Sequence, residues 1–108
     1  FVRCLARTSS VAPKGGKSGA NFAVSHDGRL LIKMIGKEEL NAYCSYGPAF
    51  FQHYAAVLFH QQVSLLTEIF GVYRLTHRHY ATGKTSTFNA MVMRNLRHGA
   101  TSTTVFDL

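Results

Sequence analysis

The sequence predicts an α+β domain built on an antiparallel sheet with packed helices. One β-rich stretch turns back at Asp27-Gly28, and a second turns back over the polar residues 77–86. Asp-Gly flanked by apolar runs is a strong hairpin signal. Between the two hairpins, apolar residues recur at helical spacing over residues 37–58. The order of hairpin, helices and hairpin favours an antiparallel sheet over alternating strand–helix–strand units.

Length and composition indicate one small globular domain. The chain has 108 residues, of which 46% are hydrophobic and 16% charged, and this is typical of a folded protein with a small core. No apolar run approaches the length of a membrane span. The first residue is Phe1, and residues 105–108 form a strand-like run. We therefore expect a segment of a longer protein.

The chain is basic. Twelve Lys and Arg against five Asp and Glu give a formal charge of +7, which favours an anionic partner such as nucleotide phosphate, nucleic acid or an acidic membrane. The composition is compatible with all three of these partners. Cys4 and Cys44 lie in unrelated segments and indicate free thiols. The six histidines lack the spacing and the companions of a metal site, so we expect no protein-bound metal.

The first hairpin is predicted over residues 21–35. Residues 21–25 form a strand, His26 to Arg29 form the turn, and Leu30 to Ile35 form the returning strand. Before it, residues 1–12 predict only a short helix, because Thr8-Ser9-Ser10 and Pro13 end the apolar pattern.

Two helices are predicted between the hairpins. Glu38 and Glu39 place acidic side chains where a helix dipole favours them, at the start of the first helix. Gly47-Pro48 interrupts the pattern, and Pro48 suits the first position of a second helix. The aromatic residues from Phe50 to Phe59 are expected in the core. In the second hairpin, strands at 69–75 and 88–93 flank residues 77–86, which we expect to form a mobile basic loop.

A glycine-rich loop, Lys14–Gly19, precedes the first strand. Gly16-Lys17-Ser18 matches part of a P-loop, but Val11 stands where the pattern needs its first glycine, and the loop opens a strand rather than a helix. Glycines let the backbone approach phosphate oxygens, and Lys17 with backbone N–H groups adds positive field. These residues favour a loop that covers nucleotide phosphates, as in kinases.

Lys33 is a single cation in an otherwise apolar strand. A buried lysine is costly unless it has an anionic partner. In kinases that partner is a nucleotide phosphate, and a glutamate on the next helix steadies the lysine. Glu38 and Glu39 occupy that segment. The residues alone leave open the alternative that Lys33 lies on the solvent face of the hairpin.

Five motifs, in this order, resemble the start of the phosphatidylinositol phosphate kinase catalytic domain: GGKSGANF, DGRLLIK, LLTEIFGVYRL, AMVMRNL and VFDL. The leading FVRCLAR and GGKSGA are most similar to the FYVE-finger phosphatidylinositol 3-phosphate 5-kinases. The resemblance covers nearly the whole chain. It implies that residues 1–108 are the N-terminal lobe, incomplete as a domain, of a protein-kinase-like lipid kinase fold.

The resemblance also implies a site for ATP and Mg²⁺. Lys33 is then the catalytic lysine, and Glu39 is the supporting acid, with Glu38 as its rival. Asp107 opens the family's Asp-Leu-Lys-Gly-Ser motif, whose remainder lies beyond Leu108. Arg94 departs from the family pattern, which tends to have an acidic residue there, so we expect altered electrostatics near the adenine. The implied ATP-binding residues are Gly15, Gly16, Lys17, Ser18, Gly19, Lys33, Met93, Arg94, Asn95 and Leu96.

The implied function is transfer of a phosphoryl group from ATP to the inositol 5-position of phosphatidylinositol 3-phosphate or a related monophosphate. The implied partners are the phosphoinositide, an acidic membrane surface and the rest of the kinase domain beyond Leu108, with no nucleic acid. The implied location is the cytoplasm, peripherally on endosomal or other intracellular membranes. This chain alone is expected to be inactive. The residues leave a non-catalytic alternative open: a pseudokinase lobe, or a basic module that binds acidic membranes or nucleic acid through residues 77–86.

Overall fold

A five-stranded antiparallel sheet and one long helix form most of this protein. The computed structural model describes residues 2–11 and 21–104. The chain divides into a sheet unit, Phe1–Ile35 with Thr67–Leu108, and a helix unit, Gly36–Leu66. The predicted α+β class with an antiparallel sheet is confirmed.

In the part of the chain that the structure describes, the sheet unit contains a short helix and five strands. Their spatial order is β1-β2-β3-β5-β4, and every neighbouring pair is antiparallel. Strands β1 and β4 therefore form the two edges. The elements are α1 (Val2–Leu5), β1 (Thr8–Val11), β2 (Phe22–Ser25), β3 (Leu30–Ile35), β4 (Ile69–Arg78) and β5 (Thr85–Arg94).

Strand register divides the side chains between two faces, because residues directly opposite each other in an antiparallel pair project to the same side. We call one side the core face. Its centre is a buried cluster, and Cys4 and Leu5 of the α1 region pack against that cluster. The cluster consists of Leu30, Ile32, Ala90 and Val92. The other side, which we call the lysine face, carries Phe22, Val24, Leu31, Lys33, Met91 and Met93.

Strand β1 corrects the prediction for the N-terminal segment. The short helix is present, but Thr8–Val11 continues as an edge strand, with Thr8 opposite Ser25 and Val11 opposite Phe22. This strand is mostly polar, which suits an edge that faces water. Its pairing partner lies more than ten residues away in sequence, so no local pattern could indicate it.

The second hairpin is longer than predicted. Strand β4 continues to Arg78, and β5 begins at Thr85, so the connection covers residues 79–84 rather than 77–86. The polar residues at the ends of these strands pair with each other, as Thr76 does with Thr87. Between Ile69 and Gly71 the register shifts by a β-bulge, which leaves Phe70 as the extra residue.

The helix unit contains one helix, α2 (Lys37–His60), where the sequence predicts two. Pro48 lies inside it. A proline normally clashes with the Cβ of the residue before it and disfavours helix there. Because that residue is Gly47, which has no Cβ, the clash is reduced. Ring contacts also span the proline, with the centroids of Tyr46 and Phe50 6.3 Å apart.

Backbone hydrogen bonding and conformation define the two ends of α2. The helix begins after Gly36, whose carbonyl accepts a hydrogen bond from the N–H of Leu40 at 3.0 Å. It ends at Gln61 in the left-handed conformation, with φ of 52°. His53 Nε2 and Ser64 Oγ lie 2.9 Å apart and hold the following segment near the helix. Within the described residues, neither helix has the length and hydrophobicity that crossing a bilayer requires.

Candidate nucleotide site

The lysine face sets Lys33 among apolar side chains in two parallel rows. Lys33 lies between Phe22 of β2 and Met91 of β5. In the adjacent row, Leu31 lies between Val24 and Met93. Alternation along three neighbouring strands produces this pattern, since every second residue of each strand projects to the same side.

Lys33 lies on a partly buried part of this face. Its side chain is half-buried, and its row neighbour Met91 is only 4% exposed. This burial favours the interpretation of Lys33 as a site residue over that of a solvent-facing residue. A half-buried lysine in an otherwise apolar row of a sheet is an arrangement that favours an anionic group close to its ammonium.

The turn between β2 and β3 is fixed by a hydrogen-bond network around Asp27. The buried Ser25 donates through Oγ to Asp27 Oδ1 at 2.6 Å, and the backbone N–H of Arg29 donates to the same oxygen at 3.1 Å. Cys4 donates through Sγ to Asp27 Oδ2 at 3.1 Å and thereby joins α1 to the turn. These bonds hold the predicted Asp-Gly hairpin in one conformation, with Gly28 at φ of +73°.

The same network shifts two pKa values. Hydrogen bonds from Ser25, Cys4 and the Arg29 N–H stabilise the carboxylate, so the pKa of Asp27 is well below its ordinary value. The thiol of Cys4 is held in its protonated form because it donates to that carboxylate, which raises the pKa of Cys4. Cys4 is therefore a weaker nucleophile than an ordinary exposed thiol.

We call the implied ATP-binding residues Met93 to Leu96 the linker, and Asn95 ties this linker to the turn. Its side-chain Nδ2 donates to the carbonyl of Gly28, and its backbone N–H donates to the carbonyl of Arg29, both at 2.8 Å. Its Oδ1 accepts from the N–H of Arg97 at 3.1 Å. The first hairpin thus fixes the position of the segment that follows β5, and Asn95 is the residue that joins the two.

The linker residues do not all face the lysine. Met93 belongs to the lysine face, whereas Arg94 lies opposite Leu30 and projects from the core face. Its guanidinium forms an ion pair with Glu68, with Nη2 and Oε2 2.5 Å apart. Leu96 is 69% exposed. The charge of Arg94 is therefore compensated by Glu68, and the expectation that this residue alters the electrostatics near an adenine stays a prediction.

The remaining predicted site residues lie elsewhere. The loop residues Gly15 to Gly19 and the motif residue Asp107 lie outside the described residues. Glu38 and Glu39 lie in the first turn of α2, in the helix unit. In residues 2–11 and 21–104, no three His, Cys, Asp or Glu side chains come together.

The predicted site lacked Val24, Leu31 and Met91 of the lysine face, although the sequence carried a signal for them. Val24, Leu31 and Met91 are site neighbours of Lys33 only through strand register. Alternation places Leu31 on the same side as Lys33, and the same rule places Met91 with Met93. The interstrand pairing that aligns them could not be derived from single strands.

Comparison with known proteins identifies the family. The family model described as Phosphatidylinositol-4-phosphate 5-Kinase matches residues 3–108. The match covers nearly the whole chain, and the chain therefore belongs to this family of lipid kinases. The resemblance seen in the sequence motifs is confirmed. Kinases of this family use ATP as the phosphoryl donor.

Individual relatives agree with the family match. The chain is 33% identical over 108 residues to the 1-phosphatidylinositol-3-phosphate 5-kinase FAB1A of Arabidopsis thaliana. It is 30% identical over 109 residues to the 1-phosphatidylinositol 3-phosphate 5-kinase FAB1 of Saccharomyces cerevisiae, and 30% over 108 residues to the 1-phosphatidylinositol 3-phosphate 5-kinase of Homo sapiens. Each alignment spans 100% of this chain but only 6%, 5% and 5% of the respective relative.

Proposed function

We propose that this chain is the nucleotide-binding part of the N-terminal lobe of a phosphoinositide kinase. The kinase phosphorylates phosphatidylinositol 3-phosphate, or a related monophosphate, at the inositol 5-position. The observation that carries this proposal is the placement of half-buried Lys33 between Phe22 and Met91 on one sheet face. The names of the relatives supply the substrate, since all three are 3-phosphate 5-kinases.

In this proposal the lysine face binds ATP through two kinds of contact. Val24, Leu31 and Met93 form one apolar row that packs against the purine ring. Beside it, Lys33 donates charge-assisted hydrogen bonds to phosphate oxygens. The backbone of residues 93–96 hydrogen-bonds the adenine edge, and the Asn95 contacts hold that backbone in position.

The remaining site residues complete the proposal. The loop Gly15-Gly16-Lys17-Ser18-Gly19 covers the phosphates with backbone N–H groups and one further cation. Glu39 steadies Lys33, with Glu38 as the alternative acid. Bound Mg²⁺ neutralises phosphate charge, and none of the described residues is assigned to it as a ligand. Catalysis then rests on positioning and charge neutralisation.

We propose that Asp107 opens the family's Asp-Leu-Lys-Gly-Ser motif. The rest of the kinase domain is then proposed to lie beyond Leu108. The whole enzyme acts at the cytoplasmic surface of endosomal or other intracellular membranes, where its lipid substrate resides. The basic character of this chain supports that location, because anionic lipid headgroups attract a protein with a formal charge of +7.

The test of the proposed activity is lipid phosphorylation by the full-length protein with Lys33→Met. Removing the phosphate-binding cation from a preorganised site should reduce the rate by about 100-fold or more. The matched control is Lys37→Met, an exposed lysine four residues further on, which should retain activity. A folded Lys33→Met protein with undiminished lipid phosphorylation would refute the role of Lys33.

A further inference from the structure

The β4–β5 hairpin extends beyond the rest of the sheet. Strand β3 pairs with β5 only from Asn89 to Arg94. The β4–β5 pairing continues outward to Arg78 and Thr85. Residues 75–88 therefore form a two-stranded ribbon that projects past the end of β3 by roughly 13 Å, at about 3.3 Å for each of four residues. We call this segment the ribbon.

The ribbon has a defined tip. The N–H of His79 donates to the carbonyl of Lys84 at 2.9 Å, and the N–H of Gly83 donates to the carbonyl of His79 at 2.8 Å. Gly83 has φ of +66°, which a side-chain-bearing residue rarely adopts. The side chains at the tip are thus presented on a closed backbone rather than on a long open loop.

The charge of the ribbon has one sign. No Asp or Glu occurs anywhere in residues 69–104, and the ribbon carries Arg78 and Lys84. The ribbon also carries the imidazole rings of His77 and His79, whose centroids lie 4.5 Å apart. The acidic residue nearest to the ribbon along the chain is Glu68, which pairs with Arg94 at the other end of the hairpin. Within residues 69–104, therefore, no carboxylate accompanies the cations of the ribbon.

Apolar side chains accompany this charge. Tyr80 at the tip is 100% exposed. Leu75 and Phe88 lie opposite each other on the ribbon and are 43% and 38% exposed. An isolated two-stranded ribbon is only marginally stable in water, so a surface that covers these side chains would stabilise it.

We propose that the ribbon binds the surface of an anionic membrane, with Arg78 and Lys84 at the lipid phosphates and Tyr80 in the headgroup region. Basic side chains near an acidic bilayer are attracted to it, and tyrosine is enriched at the membrane–water interface. A single aromatic residue at the tip provides no row of rings for stacking successive nucleic-acid bases, which favours the membrane. The proposal rests on the proposed lipid kinase function and assigns the membrane contact to a site separate from Lys33.

The experiment measures partitioning of the full chain onto vesicles of equal parts phosphatidylcholine and phosphatidylserine. The double variant Arg78→Gln/Lys84→Gln should weaken the partition coefficient by about 30-fold, from about 1 kcal/mol for each basic residue. The control Arg7→Gln/Lys37→Gln makes the same change in net charge at exposed positions outside the ribbon. It should weaken binding by less than about threefold, because its charges lie outside the contact. Tyr80→Ser should weaken binding without changing its dependence on salt.

Equal losses in the two double variants would overturn the proposal, because only net charge would then matter. Unchanged binding in Arg78→Gln/Lys84→Gln would overturn it as well, as would equal binding to vesicles of phosphatidylcholine alone. Tighter ribbon-dependent binding to single-stranded DNA than to the anionic vesicles would identify a nucleic-acid site instead. ATP binding is measured on the same proteins and should be unchanged by the ribbon variants. Its absence in all proteins would refute the nucleotide site without affecting the membrane result.

Discussion

At the scale of single residues, Asp27 and Asn95 connect the first hairpin to the segments on either side of it. Asp27 accepts hydrogen bonds from Ser25 and Cys4, and Asn95 donates to Gly28. Neither side chain belongs to the lysine face. They act on the site by holding the turn and the linker that border it, so substitutions here should change geometry before they change chemistry.

The pKa of Asp27 predicts a pH-dependent stability. Because its pKa is lower in the folded chain than the ordinary value of 3.8, the folded state binds its proton less readily than the unfolded state does. The stabilising contribution is therefore fully present well above pH 3.8 and is lost as the pH falls towards the lower folded-state pKa. We expect Asp27→Asn to be less stable than the natural chain near pH 7, and this difference should shrink below pH 3.8.

Urea unfolding at several pH values measures this effect. Ser25→Ala and the double variant Ser25→Ala/Asp27→Asn complete a double-mutant cycle. Since Ser25 is the largest cause of the Asp27 shift, the two losses should be less than additive near neutral pH. Strictly additive losses, or a difference between Asp27→Asn and the natural chain that does not change with pH, would contradict the network.

At the scale of elements, local sequence predicted the first hairpin well and the edges of the sheet poorly. Leu30–Ile35 was predicted with the bounds that the structure shows, because an apolar run after Asp-Gly is decided locally. The polar strand Thr8–Val11 and the outer ends of β4 and β5 form through pairing with a partner strand. A polar segment of this kind has no apolar alternation, so its sequence looks like a loop.

The prediction for the helix was wrong in the opposite way, because a strong local signal for a helix break did not break the helix. Gly47-Pro48 is a typical helix break, yet Lys37–His60 is continuous. Contacts between aromatic rings one turn apart run along this helix, including Tyr43 with Tyr46 and Phe50 with Tyr54, whose ring centroids are 5.6 Å and 4.9 Å apart. Such pairs stabilise a helix on either side of a weak point.

Replacing the proline should strengthen the helix. Pro48 is exposed, so Pro48→Ala restores a backbone hydrogen bond without leaving a cavity. We expect the free energy of unfolding to rise by about 2–3 kcal/mol, because the helix gains about 3 kcal/mol and the unfolded chain regains freedom worth up to about 1 kcal/mol. The neighbouring control, Ala49→Gly, should lower it by about 1 kcal/mol. A loss of stability in Pro48→Ala would indicate two helices broken at this point.

At the scale of the whole molecule, the acidic and basic residues are distributed unevenly along the chain. All acidic residues lie outside residues 69–104, so the β4–β5 hairpin and the segment after it are purely basic. The proposed nucleotide site uses the middle of the sheet, whereas the proposed membrane contact uses the end of its longest hairpin. ATP and the anionic membrane are thus assigned to different parts of one sheet. Binding of either one can be removed by substitution while binding of the other is retained.

The family could be predicted from the motifs, but the arrangement of the site could not. Lys33 and Met93 to Leu96 were named from sequence, yet the structure places Arg94 and Met93 on opposite faces. A linear motif lists neighbours along the chain without showing which side each one faces. The rows around Lys33 require strand register across β2, β3 and β5, which depends on the whole sheet.

Chemical labelling tests most directly whether Lys33 lies beside the phosphates of bound ATP, as we propose. An acyl-phosphate derivative of ATP transfers its acyl group to lysines close to the phosphates, and mass spectrometry identifies the modified lysines. We expect acylation of Lys33 that excess ATP suppresses, whereas labelling of Lys37 and Lys84 should not change with ATP. Absence of ATP-suppressed acylation at Lys33, or the same suppression at all three lysines, would refute the placement of Lys33 beside the phosphates.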